Sequence, residues 1–220
     1  MRLASTPESP VARRLGTLAI GFALVGGGVA MMIRGQVGVA PYDVLTTGVA
    51  AALGIAVGAA AMIVPLVFVA MAWSLGRRPG PGTALAVVLV GPTIGLALTA
   101  VPHVEAMAPR LGLFVVGYLV VAAGVTAVII AEIGPGPAEI LMLALHDKGA
   151  PLASARTGIE LTCVAVGWSL GGQVGVGTVV VALTIGPILR WMLVVSGFDA
   201  SVRPDVTTAA ELTDLASPGV

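Results

Sequence analysis

Apolar runs of membrane-spanning length alternate along this chain with short segments rich in proline, glycine and charge. A helix needs roughly 20 apolar residues to cross a hydrocarbon core about 30 Å thick. Runs of that kind occupy residues 15–33, 83–101, 111–131, 157–171 and 177–195. A further uncharged stretch, 44–75, is too long for one simple span. The pattern predicts an all-α membrane protein with about six transmembrane helices.

The same order of motifs occurs twice. The matching pairs are RLG at 14–16 and 110–112, GVAPYDVL at 38–45 and GPGPAEIL at 134–141, WSLG at 73–76 and 168–171, and Gly91-Pro92 and Gly186-Pro187. Shared order and register indicate a duplication, because isolated matches of small residues are expected by chance here. We therefore predict a first repeat at 14–101, a linker at 102–109 and a second repeat at 110–197. Polar tails at 1–13 and 198–220 are expected to be disordered.

The repeat also indicates a short helix in each copy. Residues 137–149 contain Glu139, Asp147 and Lys148, so this segment cannot cross a bilayer. By equivalence, 41–53 and 137–149 are each predicted to form an interfacial or re-entrant half-helix, with proline at its first position. Three spans then remain in each copy. An odd number places the second copy upside down relative to the first, as in many transporters.

Composition supports a lipid environment. Hydrophobic residues make up 57% of the chain and charged residues 10%, with a mean hydropathy of +1.05, whereas soluble domains carry about 25% charged residues. The lipid bilayer is thus the expected partner. A formal net charge of zero gives no sign of nucleic-acid binding. With Cys163 as the single cysteine and only two histidines, we expect no intramolecular disulfide, metal cluster or other cofactor.

Basic residues flanking the spans predict orientation. With the N-terminus inside, the outer side keeps Arg34 and Arg110. The cytoplasmic side receives the remaining basic residues, which are Arg2, Arg13, Arg14, Arg77, Arg78, Lys148, Arg156, Arg190 and Arg203. Both termini are therefore predicted to be cytoplasmic.

At these motifs the chain resembles the YitT/YczE-like bacterial membrane protein family. GVAPYDVL, GPGPAEIL, Arg156 with Glu160, and WSLGGQVGVGT at 168–178 carry the resemblance, which extends from Arg14 to Trp191. It implies a multi-pass protein of the bacterial inner membrane whose activity is generally unassigned. In the family a basic residue and an aspartate often follow the second proline, where this chain has Ala138 and Glu139.

Four charged residues are candidates for a solute site. Asp43 and Glu139 follow the two helix-starting prolines and could serve a proton or cation path; alternatively, each only stabilises the helix dipole. Arg156 and Glu160 are four residues apart, so they share a helix face and can pair. An acid at the depth of Glu160 indicates a wet or paired environment, and an interfacial pair that fixes helix depth is the alternative. Their equivalents in the first repeat are Ala61 and Pro65.

Two further motifs are duplicated. Gly-x-Gly-Thr, ending at Thr83 and Thr178, could bind an anion at a helix N-terminus or form a capped turn. Pro92 and Pro187 lie about nine residues further along their helices, near the midplane. We expect these prolines to approach each other and line a central path; packing kinks are the alternative. If both prolines face lipid, a scaffold is the better interpretation.

The leading hypothesis is a transporter or channel-like protein for a small solute or ion. The second is a non-transporting membrane scaffold or regulatory partner, which the sparse polar groups in the spans favour. No nucleophile–base arrangement occurs, so we expect the protein not to be an enzyme. GxxxG pairs such as Gly54 with Gly58 are typical of close helix packing, and they are also compatible with a homo-oligomer.

Overall fold

The computed structural model describes residues 11–197, and in this range the regular structure consists of eight α-helices. The helices are α1 Val11–Gly35, α2 Pro41–Leu53, α3 Val57–Ser74, α4 Pro81–Ala100, α5 Met107–Ala131, α6 Pro137–Asp147, α7 Leu152–Ser169 and α8 Val176–Val195. The prediction of an all-α chain is confirmed. Residues 1–10 and 198–220 of the predicted tails lie outside the described residues. Residues 11–13, predicted as tail, are helical, and α5 begins inside the predicted linker 102–109.

Five of the described helices are long and apolar enough to cross a membrane: α1, α3, α4, α5 and α8. Helix α7 has the same length as α3, 18 residues, but it is not one of the five. Arg156 and Glu160 lie in its first half and lower its hydropathy. Length and composition therefore support five of the six predicted spans.

Two short helices, which we call the half-helices, are present where the sequence predicts them, and both begin at the expected residue. Helix α2 has 13 residues and α6 has 11, and each starts at a proline. The residue before each proline has an extended backbone. Proline has a helical φ, and its lack of an N–H group costs nothing at the first helical position, where an N–H has no partner within the helix. In chain order the helices have 25, 13, 18 and 20 residues in the first half, and 25, 11, 18 and 20 in the second.

Helices α1 and α5 form an antiparallel pair whose backbones touch at glycines. Gly21 faces Gly124 near one end of the pair, and Gly28 faces Gly117 further along. A Cβ added at Gly28 would lie 2.6 Å from the Gly117 carbonyl oxygen. Such an approach needs glycine, because any side chain would push the two helices apart.

The other helices surround this pair. Helix α4 packs on α1 and α8 on α5, while α3 packs on α4 and α6. The half-helix α2 lies along α7, where a Cβ at Gly48 would collide with the Gly167 backbone. The N-terminal turns of both half-helices thereby reach the middle of the bundle.

Candidate functional site

A cavity of about 310 Å³ lies at the centre of the bundle, and all eight helices contribute to its wall. Most of the wall is apolar, formed by valine, isoleucine, alanine and methionine side chains. Its polar side chains, with the one thiol, are Tyr42, Asp43, Thr46, Tyr118, Glu139, Arg156, Glu160 and Cys163. The four charged residues predicted as site residues therefore all border one cavity.

Asp43 and Glu139 each occupy the first turn of a half-helix that faces the cavity. The two turns are close, because Tyr42 of α2 lies within electrostatic range of both Asp43 and Glu139. The partial positive charge of a helix N-terminus stabilises a carboxylate in this position. Glu139 also folds its carboxylate back against Gly136, the residue at the start of its own helix. The Glu139 carboxylate therefore lies against the start of its own helix, where the helix dipole stabilises it.

Arg156 and Glu160 form an ion pair on the α7 wall of the cavity. The Arg156 Nε donates to Glu160 Oε1 at 3.0 Å, and the two side chains are 32% and 33% exposed. The predicted pairing is confirmed. Ala61 and Pro65, the residues at the corresponding places of α3, also line the cavity. The α7 wall of the cavity is therefore charged, whereas the corresponding α3 wall is apolar at these two positions.

Both tyrosines of the chain border the cavity. The Tyr118 hydroxyl is 2.7 Å from Thr184 Oγ1. The Tyr42 ring packs edge-on against Phe68, and its buried hydroxyl has no hydrogen-bond partner among the described residues. A buried hydroxyl without a partner is costly, and it gains when a ligand or water supplies one. The sequence analysis did not single out Tyr42, although a tyrosine beside Pro41 and Asp43 in an aromatic-poor chain was a usable signal.

Thr178 lies outside the cavity wall and holds the chain segment that precedes α2. The Val39 N–H donates to Thr178 Oγ1 at 3.3 Å, and the Gly177 N–H donates to the Val37 carbonyl at 3.0 Å. The start of α8 therefore holds the loop before the first half-helix. We call this pair of bonds the first clasp.

Thr83 has the matching position in the first half. Its hydroxyl donates to the Pro135 carbonyl at 2.6 Å, and the Gly82 N–H donates to the Ile133 carbonyl at 3.3 Å. This second clasp holds the loop before α6. In both turns, backbone N–H groups that could have bound an anion donate to the loop, so the geometry favours the structural alternative for Thr83 and Thr178.

The prediction that Pro92 and Pro187 line a central path is wrong. Both prolines are exposed on the outside of the bundle, and neither contributes to the cavity wall. Helix α4 packs on α1 and α3 rather than on α8. Gly91 explains the orientation in α4: it contacts α3, and the next residue is rotated by about 100° around the helix, which turns Pro92 outward. Other faces of α4 and α8 line the cavity.

Comparison with known proteins gives a consistent picture. A family model described as a family of unknown function, DUF6198, matches residues 12–193. A protein of Bacillus subtilis (strain 168), described as "Uncharacterized membrane protein YczE", is 30% identical over 177 residues, which cover 79% of this chain and 82% of that protein. A protein of Haemophilus influenzae, described as "Uncharacterized protein", is 23% identical over 182 residues, covering 82% and 84%. No solved structure matches the chain.

Proposed function

Since this chain belongs to the DUF6198 family, a family of unknown function, we propose its activity from its cavity: it transports a small solute or ion across the bacterial inner membrane. The likeness to YczE confirms the resemblance inferred from the motifs. It also supports a membrane location. The observation that carries the proposal is the charged central cavity, which the first turns of both half-helices line.

The proposed arrangement in the membrane is two inverted repeats with six spans. Equal helix order in the two halves and the antiparallel α1–α5 pair support it. Helix α7 would be the sixth span, since its charged pair faces the cavity. Helices α2 and α6 would be re-entrant half-helices, and both termini would be cytoplasmic. Labelling of single cysteines from each side of the membrane tests this topology, and an externally labelled C-terminus would contradict it.

The chemistry of the cavity favours transport over catalysis. Ionisable residues at membrane depth are expensive to maintain and usually mark a solute or proton path. A volume of about 310 Å³ is at the small end of the range typical of ligand pockets. Half-helices whose N-termini point at a central site occur in transporters. No residue at the wall forms a nucleophile–base pair, so we propose a binding and transport role without a reaction.

The outward-facing prolines favour the second candidate, a membrane scaffold, because they remove one argument for a central path. The cavity outweighs them. A scaffold has no need of three carboxylates, those of Asp43, Glu139 and Glu160, around one internal space, whereas ionisable groups inside a membrane bundle usually mark a solute or proton path. The Tyr42 hydroxyl adds a buried polar group that has no hydrogen-bond partner among the described residues.

Purified protein in lipid vesicles tests the proposal. Flux of a panel of monovalent cations, small amines and amino acids would be compared with empty vesicles. Asp43→Asn removes a cavity charge, and Glu105→Gln removes an exposed acid in the loop between α4 and α5 as the matched control. We expect flux for at least one solute, reduced at least tenfold by Asp43→Asn and unchanged by Glu105→Gln. Absence of flux for the whole panel, or equal effects of both changes, would favour the scaffold.

A further inference from the structure

The bundle is closed on one side of the cavity and open on the other. Helix α3 packs along α4, but the corresponding helices of the second half, α7 and α8, form no such interface within residues 11–197. The exposure of side chains at corresponding positions of α4 and α8 differs in the same way. Val87 of α4 is buried, with 7% exposure, whereas Ala182 at the corresponding place of α8 is exposed although it lines the cavity.

The sequence explains the difference. The backbones of α3 and α4 meet at Gly58, Gly91 and Gly95, where a Cβ at Gly91 would collide with α3. In the second half, Gly95 is replaced by Arg190. Large side chains in place of glycine prevent the close approach that the first pair of helices makes.

The charged pair of α7 lies beside this opening. Arg156 and Glu160 stand where α3 has Ala61 and Pro65, and their side chains remain about one-third exposed. Both belong to the cavity wall, together with Ile159 of α7 and Ala182 of α8. The opening therefore joins the apolar face of the bundle to the polar groups inside.

These polar groups select a positively charged head group. Arg156 already pairs with Glu160, so Asp43 and Glu139 are the carboxylates left for a ligand at the wall, and the Tyr42 hydroxyl oxygen is a further acceptor without a partner among the described residues. Carboxylates only accept hydrogen bonds when ionised, and a protonated amine supplies three donors and a positive charge. The rest of the wall is apolar and suits a hydrocarbon chain or ring.

We propose that the cavity takes up an amphiphilic amine sideways from the lipid, through the opening between α7 and α8. The inference rests on the proposed function in placing the bundle in a membrane, and it names the class of solute. The ammonium group binds at Asp43 and Tyr42, and the hydrocarbon part lies along α7 and α8. A water-soluble ion would instead enter from a membrane surface.

The test uses protein in lipid nanodiscs and an octylamine that carries a photoreactive diazirine on its chain. Illumination and mass spectrometry map the labelled peptides. We expect saturable labelling of α7 and α8 that octylamine competes away, whereas octanol, octanoate and butylamine do not. Competition by octanol equal to that by octylamine would overturn the amine assignment, and labelling only of peptides outside the cavity wall would overturn the site.

Blocking the opening provides the decisive comparison. Ala182→Trp fills it from α8, and Leu183→Trp adds the same side chain at a neighbouring residue that is 72% exposed and lies outside the cavity wall. Ile159→Trp blocks from α7 and serves if Ala182→Trp fails to fold. We expect at least a tenfold loss of labelling for the blocking variants and none for Leu183→Trp. Unchanged labelling in a folded blocking variant would overturn lateral entry, and so would a dimer of the unmodified protein that Ala182→Trp dissociates.

Flux measurements separate the two proposals. Amine labelling without flux of any solute would leave the amine site standing and refute transport. Flux of another solute that the blocking variants do not affect, with no specific amine labelling, would support transport and overturn the inference.

Discussion

The glycine contact between α1 and α5 makes a quantitative prediction for Gly28→Ala. The added methyl group would lie 2.6 Å from the Gly117 carbonyl oxygen and 2.7 Å from the Val121 amide nitrogen. Both partners are backbone atoms, which cannot rotate away as a flexible side chain can. The two helices must therefore separate by several tenths of an ångström along a seam that also includes Gly21 and Gly124.

The cost can be compared with that of a neighbouring glycine. Overpacking in a tight interior costs about 1–3 kcal/mol, whereas alanine gains about 0.8–1 kcal/mol over glycine within a helix. At Gly27 a Cβ meets nothing within 4 Å, so Gly27→Ala gains helix propensity without an overpacking cost. Because both variants share the propensity gain, their free energies of unfolding should differ by about 1–3 kcal/mol.

Thermal unfolding of the two variants in the same detergent measures this difference. For a chain of this size, 1 kcal/mol corresponds to roughly 2–4 °C in Tm. We expect Gly28→Ala to unfold at a temperature about 2–12 °C below that of Gly27→Ala. Equal Tm values would show that α1 and α5 do not touch at Gly28, and the antiparallel seam would then be refuted.

Three further predictions follow from other contacts. Thr83→Val leaves the half-buried Pro135 carbonyl without this donor and should lower the free energy of unfolding by about 0.5–1.5 kcal/mol, whereas Thr83→Ser should recover most of the loss; equal Tm values for the two variants would contradict the second clasp. Arg156→Met and Glu160→Gln should show a coupling energy above the ~0.3–0.5 kcal/mol of an exposed helix pair in a double-mutant cycle, and additive effects would contradict it. Pro187→Ala should leave flux and amine labelling unchanged, because the ring faces outward, and a loss of flux would restore the proline-lined path.

Much of the fold was predictable because charge and repetition constrain it strongly. The charges within 137–149 excluded a span, and the repeat transferred that conclusion to 41–53, which contains no such charge after Asp43. Proline at the start then fixed where each half-helix begins. The four charged residues that border the cavity could be selected from the sequence because a charge beside or within an apolar segment is unusual enough to be informative without any tertiary contact.

Other features depend on how helices rotate against one another. Pro92 and Pro187 lie near the middle of α4 and α8, as the sequence predicts, but the position along a helix does not determine which side of it faces the cavity. The contact between Gly58 and Gly91 determines that side for α4. The opening between α7 and α8 likewise depends on the packing of two helices, and only the replacement of Gly95 by Arg190 hinted at it.

The two clasps can form only at different stages of translation. Thr83 precedes Pro135 by 52 residues. The second clasp can therefore form as soon as the loop before α6 has been synthesised. The loop before α2 must wait for Thr178, which follows Val39 by 139 residues. The clasp of α6 can therefore form early, and the clasp of α2 only after the start of α8 has been synthesised. A nascent chain that stops before Gly175 contains α2 without the first clasp, so this contact can form only after α1–α7 have been synthesised.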